Sequence, residues 1–98
     1  MAERHGTEIS FRLGPGTLDE ARAIAARLAL AAAGCRRHVL FVDAERGEYG
    51  CLAEWDAAAD AREFSTSPAV ARELERIGVA AERPVRVRRY IMEEQVPG

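Results

Sequence analysis

The side chains of this sequence that could do chemistry are few, and the most suggestive are a Trp, a Phe and a His. Trp55 closes a run of alternating polar and apolar residues, Phe64 follows in the next segment, and His38 opens the run before it. An indole and a phenyl ring brought together would wall a flat ligand, because small-molecule pockets are mostly apolar with a few well-placed polar groups. His38 is the proton-handling candidate, since an imidazole gains and loses protons near neutral pH and would serve as base or acid toward a phenolic substrate. Phe11 and Arg89 complete the expected substrate-binding set. Arg89 interrupts an otherwise apolar strand face, where a guanidinium taken out of water needs an anionic partner or ligand. Each has a plainer alternative: core packing for Trp55, a solvated strand start for His38, escape to solvent at a sheet edge for Arg89.

Other patterns carry less. Cys35 and His38 stand three apart, but nothing nearby supplies the remaining ligands of a metal site, so none is expected. The only other cysteine is Cys51, and both are read as free thiols. Gly14-Pro15-Gly16-Thr17 precedes a helix, yet lacks the spacing of a dinucleotide or phosphate loop and is a turn and a cap.

These residues need a scaffold, and 98 residues allow one core, taken as a single domain over residues 1–98 with its body at about 7–92. Hydrophobic residues are 48% and charged residues 31%, spread along the chain, which is the balance of a folded domain and not of a disordered one. A net charge of -2 gives no footprint for nucleic acid. The apolar run 23–33 is broken by Arg27 and is too short for a bilayer, so no membrane association is expected. Met1 to Glu8 has no apolar stretch of the secretory kind, and the expected location is cytoplasmic.

Ile9, Phe11 and Leu13 alternate with Glu8, Ser10 and Arg12 as a first strand. Thr17 with Glu20 fits a capping box, opening a helix whose apolar face runs Leu18, Ala21, Ile24, Ala25, Leu28, Ala32 and which ends near Ala33, before Gly34. Residues 38–43 and 48–55 form a hairpin, with Asp43 opposite Glu48 and Trp55 diagonal to His38. Asp56 is placed to cap a helical turn through Phe64, and Ser67-Pro68 restarts the helix, carrying Val70, Leu74 and Ile77 inward until Gly78 closes it. Residues 85–92 alternate again as a fourth strand.

This βαββαβ order is that of an α+β, ferredoxin-like fold, a four-stranded antiparallel sheet with two helices on one face. The helix-covered face is expected to hold Phe11, Leu13, Leu40, Val42, Cys51, Trp55, Val87 and Ile91. The other carries Ser10, Arg12, Val39, Phe41, Leu52, Glu54, Arg86, Arg88 and Tyr90. That second face is too apolar to be left in water, and a second copy of the same sheet is its simplest cover, giving a homodimer in which the charged residues pair across the interface.

With that order of elements, Leu52-Ala53-Glu54-Trp55-Asp56 running on to Asp60, Phe64, Ser67-Pro68 and Val70 resembles the antibiotic biosynthesis monooxygenase family. The resemblance spans roughly residues 7–92 and implies a dimeric α+β barrel. Members of that family include cofactor-free oxygenases of aromatic polyketides, haem-degrading oxygenases and many small proteins without an assigned role. Haem degradation as that family performs it is disfavoured, because the first strand has no Asn, Phe64 stands where a second Trp is expected, and Leu74 where a His ligand is expected.

The resemblance thus implies a monooxygenase-like protein acting on a small aromatic or polyketide-type substrate with no cofactor, the bound anion itself reacting with oxygen. The alternative is a non-catalytic small-ligand-binding or interaction dimer of the same fold. An open sheet face stacking single-stranded nucleic acid on Phe41 and Tyr90 is a third possibility, opposed by the acidic balance and by Glu54 in mid-face.

Overall fold

The computed structural model describes residues 3–98. Its elements are β1 (Arg4–Arg12), α1 (Leu18–Ala31), β2 (Arg37–Asp43), β3 (Glu48–Trp55), α2 (Ala58–Ser65), α3 (Pro68–Ala80) and β4 (Arg86–Met92). The four strands form one antiparallel sheet in the order β2-β3-β1-β4, the expected ferredoxin-like arrangement. Asp43 lies opposite Glu48, so the hairpin register is the one the alternation implies. Gly47 turns that hairpin at φ +64°, and a Cβ there would overlap the backbone of Gly14, so both conformation and space require glycine.

Period-two alternation decides what is buried. Thr7, Ile9 and Phe11 on β1 and Tyr49, Cys51, Ala53 and Trp55 on β3 point under the helices, where they meet Ala21, Ile24 and Leu28 of α1, Phe64 of α2 and Val70 and Ile77 of α3. Burial pushes the Cys51 thiol up to about 12, so it is an inert core group.

Several expectations are corrected. β1 begins at Arg4, four residues before the first clear alternation, because its start pairs with the end of β3 and with β4 despite its polar composition. Thr17 does not close a capping box. Its Oγ1 donates to the Gly14 carbonyl at 2.6 Å and so accepts from the Tyr49 hydroxyl at 2.9 Å, tying the turn to β3. Asp56 does not cap α2, since Arg4 and Arg36 take its carboxylate at 2.9 and 3.0 Å. Gly78 lies inside α3, which runs on to Ala80. Ser67 does cap α3, accepting from the Val70 N–H, with Pro68 in the first turn.

Val42, Val87 and Ile91, expected beneath the helices, are exposed at 47%, 39% and 64%. They sit on the two edge strands. α1 lies on β2 and β3, α3 packs on α1, and the side of the sheet toward β4 is covered by α2, only eight residues long. A helix of that length reaches about 12 Å, too short to roof the whole of β4.

Glu73 is a buried carboxylate on the inner face of α3, one turn from Val70 and Ile77, and Arg27 of α1 holds it with Nε and Nη2 at 2.8 and 2.7 Å. Removing one partner of a fully buried pair costs roughly 3–5 kcal/mol, and partial exposure of Arg27 reduces this to about 1–2 kcal/mol here. Arg27→Met is therefore expected to lower unfolding free energy by that amount in urea titration, and Arg27→Met with Glu73→Leu to recover most of it.

Candidate functional site

Register fixes which side chains share a row across the sheet. On the helix side, His38, Ala53, Thr7 and Arg89 form one row, and Trp55, His5 and Ile91 form the next. The Trp55 indole N–H donates to Thr7 Oγ1 at 3.1 Å, a buried bond that locks the ring, and the Phe64 ring packs against it with centroids 5.2 Å apart. Both rings are almost wholly enclosed, at 4% and 6% exposure.

The expected site residues are only partly brought together. Trp55 and Phe64 touch, and Arg89 lies across β1 from them beside Thr7. Phe11 does not join them. It packs on Tyr49 with centroids 5.6 Å apart, six strand positions from His5, which at about 3.3 Å per residue is roughly 20 Å away. His38 is half-buried opposite Ala53 and lines none of the three main clefts.

A cleft of about 290 Å³ opens where α2 leaves β4 uncovered, and His5, Arg62, Arg89, Tyr90 and Ile91 line it with two alanines of α2. Among the described residues no carboxylate is within ion-pair distance of Arg62 or Arg89, so both guanidiniums are free to meet an anion. His5 is not among the residues expected for the site, because it lies ahead of residue 7, where the folded body was expected to begin. The signal was present: His5 continues backward the Thr7, Ile9, Phe11 alternation.

A second depression, of about 380 Å³, shows one edge of Trp55 and Phe64 between the end of α1 and the break after α2, with Asp60 and Glu63 on its rim. Trp55 and Phe64 therefore line this acidic hollow and not the cationic cleft. No cluster of ligating side chains that could hold a metal ion occurs among the described residues. No helix there is long and apolar enough to cross a membrane.

No family model and no curated protein sequence matches the chain. Solved structures do. Rv0793 of Mycobacterium tuberculosis is similar at 22% identity and a TM-score of 0.72, over 96% of this chain and 99% of that one. A candidate antibiotic biosynthesis monooxygenase of Nitrosomonas europaea is similar at 8% identity and a TM-score of 0.73, over 94% and 92%. The hydroxynitrile lyase of Passiflora edulis is similar at 19% identity and a TM-score of 0.69, over 99% and 100%. The chain thus has the ferredoxin-like α+β fold of structures named antibiotic biosynthesis monooxygenase, as its sequence pattern implied. The same fold carries a lyase, so fold alone does not choose the chemistry.

Burial lowers the His38 pKa below its ordinary value. A His that resists protonation in the fold binds fewer protons than the unfolded chain, so stability is full above the unfolded value near 6.5 and falls as pH drops through it toward the folded value. The thermal midpoint is expected to decline as pH falls below about 6.5, and to decline less in His38→Gln. Equal declines in the two proteins would refute this.

Proposed function

We propose that the protein is a cofactor-free, monooxygenase-like enzyme for a small acidic aromatic substrate, held in the cleft between β4 and α2. One observation carries this: His5, Arg62 and Arg89 converge on one cleft with neither guanidinium engaged by a carboxylate. His5 takes a proton from an activated carbon or phenol, and the two arginines hold the anion that results. An electron-rich carbanion of this kind reacts with oxygen directly. A methylene and O2 become a ketone and water, with all electrons supplied by the substrate, so the protein has to deprotonate, orient and shield. Trp55, opposite His5 in the register, and Phe64 packed on it fix the sheet end on which His5 sits.

The test is oxygen uptake with an anthrone as probe substrate, in metal-free buffer with no added cofactor. His5→Ala is expected to lower kcat on the order of 100-fold, the usual worth of a positioned base. Arg89→Gln is expected to raise KM. His38→Ala is the control for the other imidazole, and loss of activity there with full activity in His5→Ala would overturn the assignment. The near-complete enclosure of Trp55 and Phe64 favours a second reading, a non-catalytic small-ligand-binding dimer. Saturable binding of the anthrone without oxygen uptake would select it.

The reading includes a homodimer through the open face of the sheet. Phe41 and Tyr90 are 49% and 39% exposed there, beside half-buried Val39 and Leu52. Light scattering is expected to give twice the chain mass of 10.7 kDa. Leu52→Glu, which puts a charge in mid-face, is expected to give the single-chain mass with the fold retained by circular dichroism.

A further inference from the structure

A third cleft, of about 490 Å³, lies on the face of the sheet away from the helices and so is separate from the site described above. Its floor is one row across the four strands: Phe41, Gly50, Ser10 and Arg86. In that row the two central strands contribute little side chain, although Glu8 of the neighbouring row reaches to within 3.6 Å of where a Gly50 Cβ would stand, while the two edges contribute a ring and a guanidinium. The result is a trough, with strands about 4.8 Å apart making it roughly 14 Å from edge to edge. The Phe41 ring leans inward, since a Cβ on Gly50 would stand 3.4 Å from its Cδ2.

The charges around this trough are unequally engaged. Glu48 is paired with Arg83 at 3.1 Å, Asp43 with Arg46 at 3.0 Å, and Glu8 accepts from the Tyr90 hydroxyl at 3.0 Å. Arg86 has no carboxylate within ion-pair distance among the described residues. Arg12 Nε is 3.2 Å from Glu82 but poorly aligned, and it is a buried nitrogen without a hydrogen-bond acceptor. Asp43 and Glu48 are ion-paired and Glu8 is held by a neutral hydroxyl, while Arg86 and the Arg12 Nε remain as cationic donors.

We propose that this trough is a second ligand site, for a flat aromatic monocarboxylate. The ring lies over Ser10 against Phe41, its electropositive edge toward the Glu8 carboxylate beside Gly50, and the ligand carboxylate meets Arg86, whose planar fork donates to both oxygens. The volume is that of a small-molecule pocket, roughly 300–1,000 Å³. A second copy of the sheet, where present, roofs the trough and deepens it.

The test is calorimetric titration of the full chain, in its native assembly, with 2-naphthoate and with uncharged 2-naphthylmethanol. Saturable binding of 2-naphthoate is expected, at least tenfold weaker in Arg86→Gln, with 2-naphthylmethanol indifferent to that change and Phe41→Leu weakening both. Both substitutions are at exposed positions, and circular dichroism checks that the fold persists. In an Arg62→Gln, Arg89→Gln background, where the helix-side cleft has lost its cations, saturable binding of 2-naphthoate is expected to persist and still to weaken at least tenfold with Arg86→Gln, which separates this site from that cleft whatever the outcome of the oxygen-uptake assay. Three results would each overturn the proposal: no saturable binding, as when a second copy's side chains fill the trough; binding indifferent to Arg86→Gln; or binding lost in the Arg62→Gln, Arg89→Gln background.

Discussion

The hydrogen bond from the Trp55 indole to Thr7 Oγ1 is the constraint on which the rest of this small structure turns. Both groups are buried, and an indole N–H left without an acceptor in such a place costs about 1–3 kcal/mol, a large share of the stability of a domain this size. The bond can form only if Thr7 and the end of β3 face the same side, so it excludes a one-residue slip of β1 against β3, which would turn every side chain to the opposite face. With Trp55 held, Phe64 has a surface to pack on, and Phe64 in turn seats α2 over the inner end of β1. The helix-side cleft beside β4 is what the short α2 leaves uncovered.

The sheet illustrates what alternation can and cannot disclose. Strands β3 and β4, the hairpin register and the restart of the helix at Ser67-Pro68 were legible because each rests on a local rule: period two, a glycine turn, a hydroxyl cap beside a proline. Arg4 to Thr7 was not legible as strand, because its polar residues are held by partners distant in sequence, Trp55, Ile91 and Met92 among them. The candidate site suffered accordingly. Trp55 and Phe64 line the acidic hollow and not the cleft, and the His of the cleft lies on the stretch of β1 that gave no apolar signal. Phe11 was assigned to the correct face but the wrong end, since parity says which side a residue faces and says nothing of how far along it sits.

Local side-chain rules failed wherever a stronger partner was within reach. Thr17 and Asp56 are both cap-type residues next to helix starts, and both give up the cap, Thr17 for the Gly14 carbonyl and the Tyr49 hydroxyl, Asp56 for two arginines. A cap satisfies one backbone N–H that solvent would otherwise reach, whereas the Asp56 pairs are charge-assisted and the Thr17 bonds join a turn to a buried tyrosine. Glu73 shows the converse. A carboxylate at an inner position of α3 is tolerated because Arg27 meets it in a forked geometry, and the sequence could have shown it only by its place between Val70 and Ile77.

Commitment of charge is the property that distinguishes the two faces of the sheet. Every cation of this chain is an arginine, so the useful distinction is which guanidiniums are already engaged. On the open face, Glu54 is neutralised within its own protomer by Arg37 at 2.8 Å and Arg4 at 3.5 Å, and so has no need of a partner copy, contrary to the cross-interface pairing its position suggested. A covering sheet would therefore meet a central region that is already charge-balanced and apolar at Leu52, which is the condition for burying polar residues without leaving a charge alone. Among the described residues five arginines have no carboxylate within ion-pair distance: Arg62 on α2, Arg89 and Arg86 stand beside clefts, whereas Arg72 and Arg88 line none of the three. A guanidinium without a carboxylate loses little while water solvates it, but it is the group that gains most when an anion arrives in a partly enclosed space, because attraction strengthens as water is excluded. Arg62, Arg89 and Arg86 meet that condition, since they stand beside hollows and not beside acids.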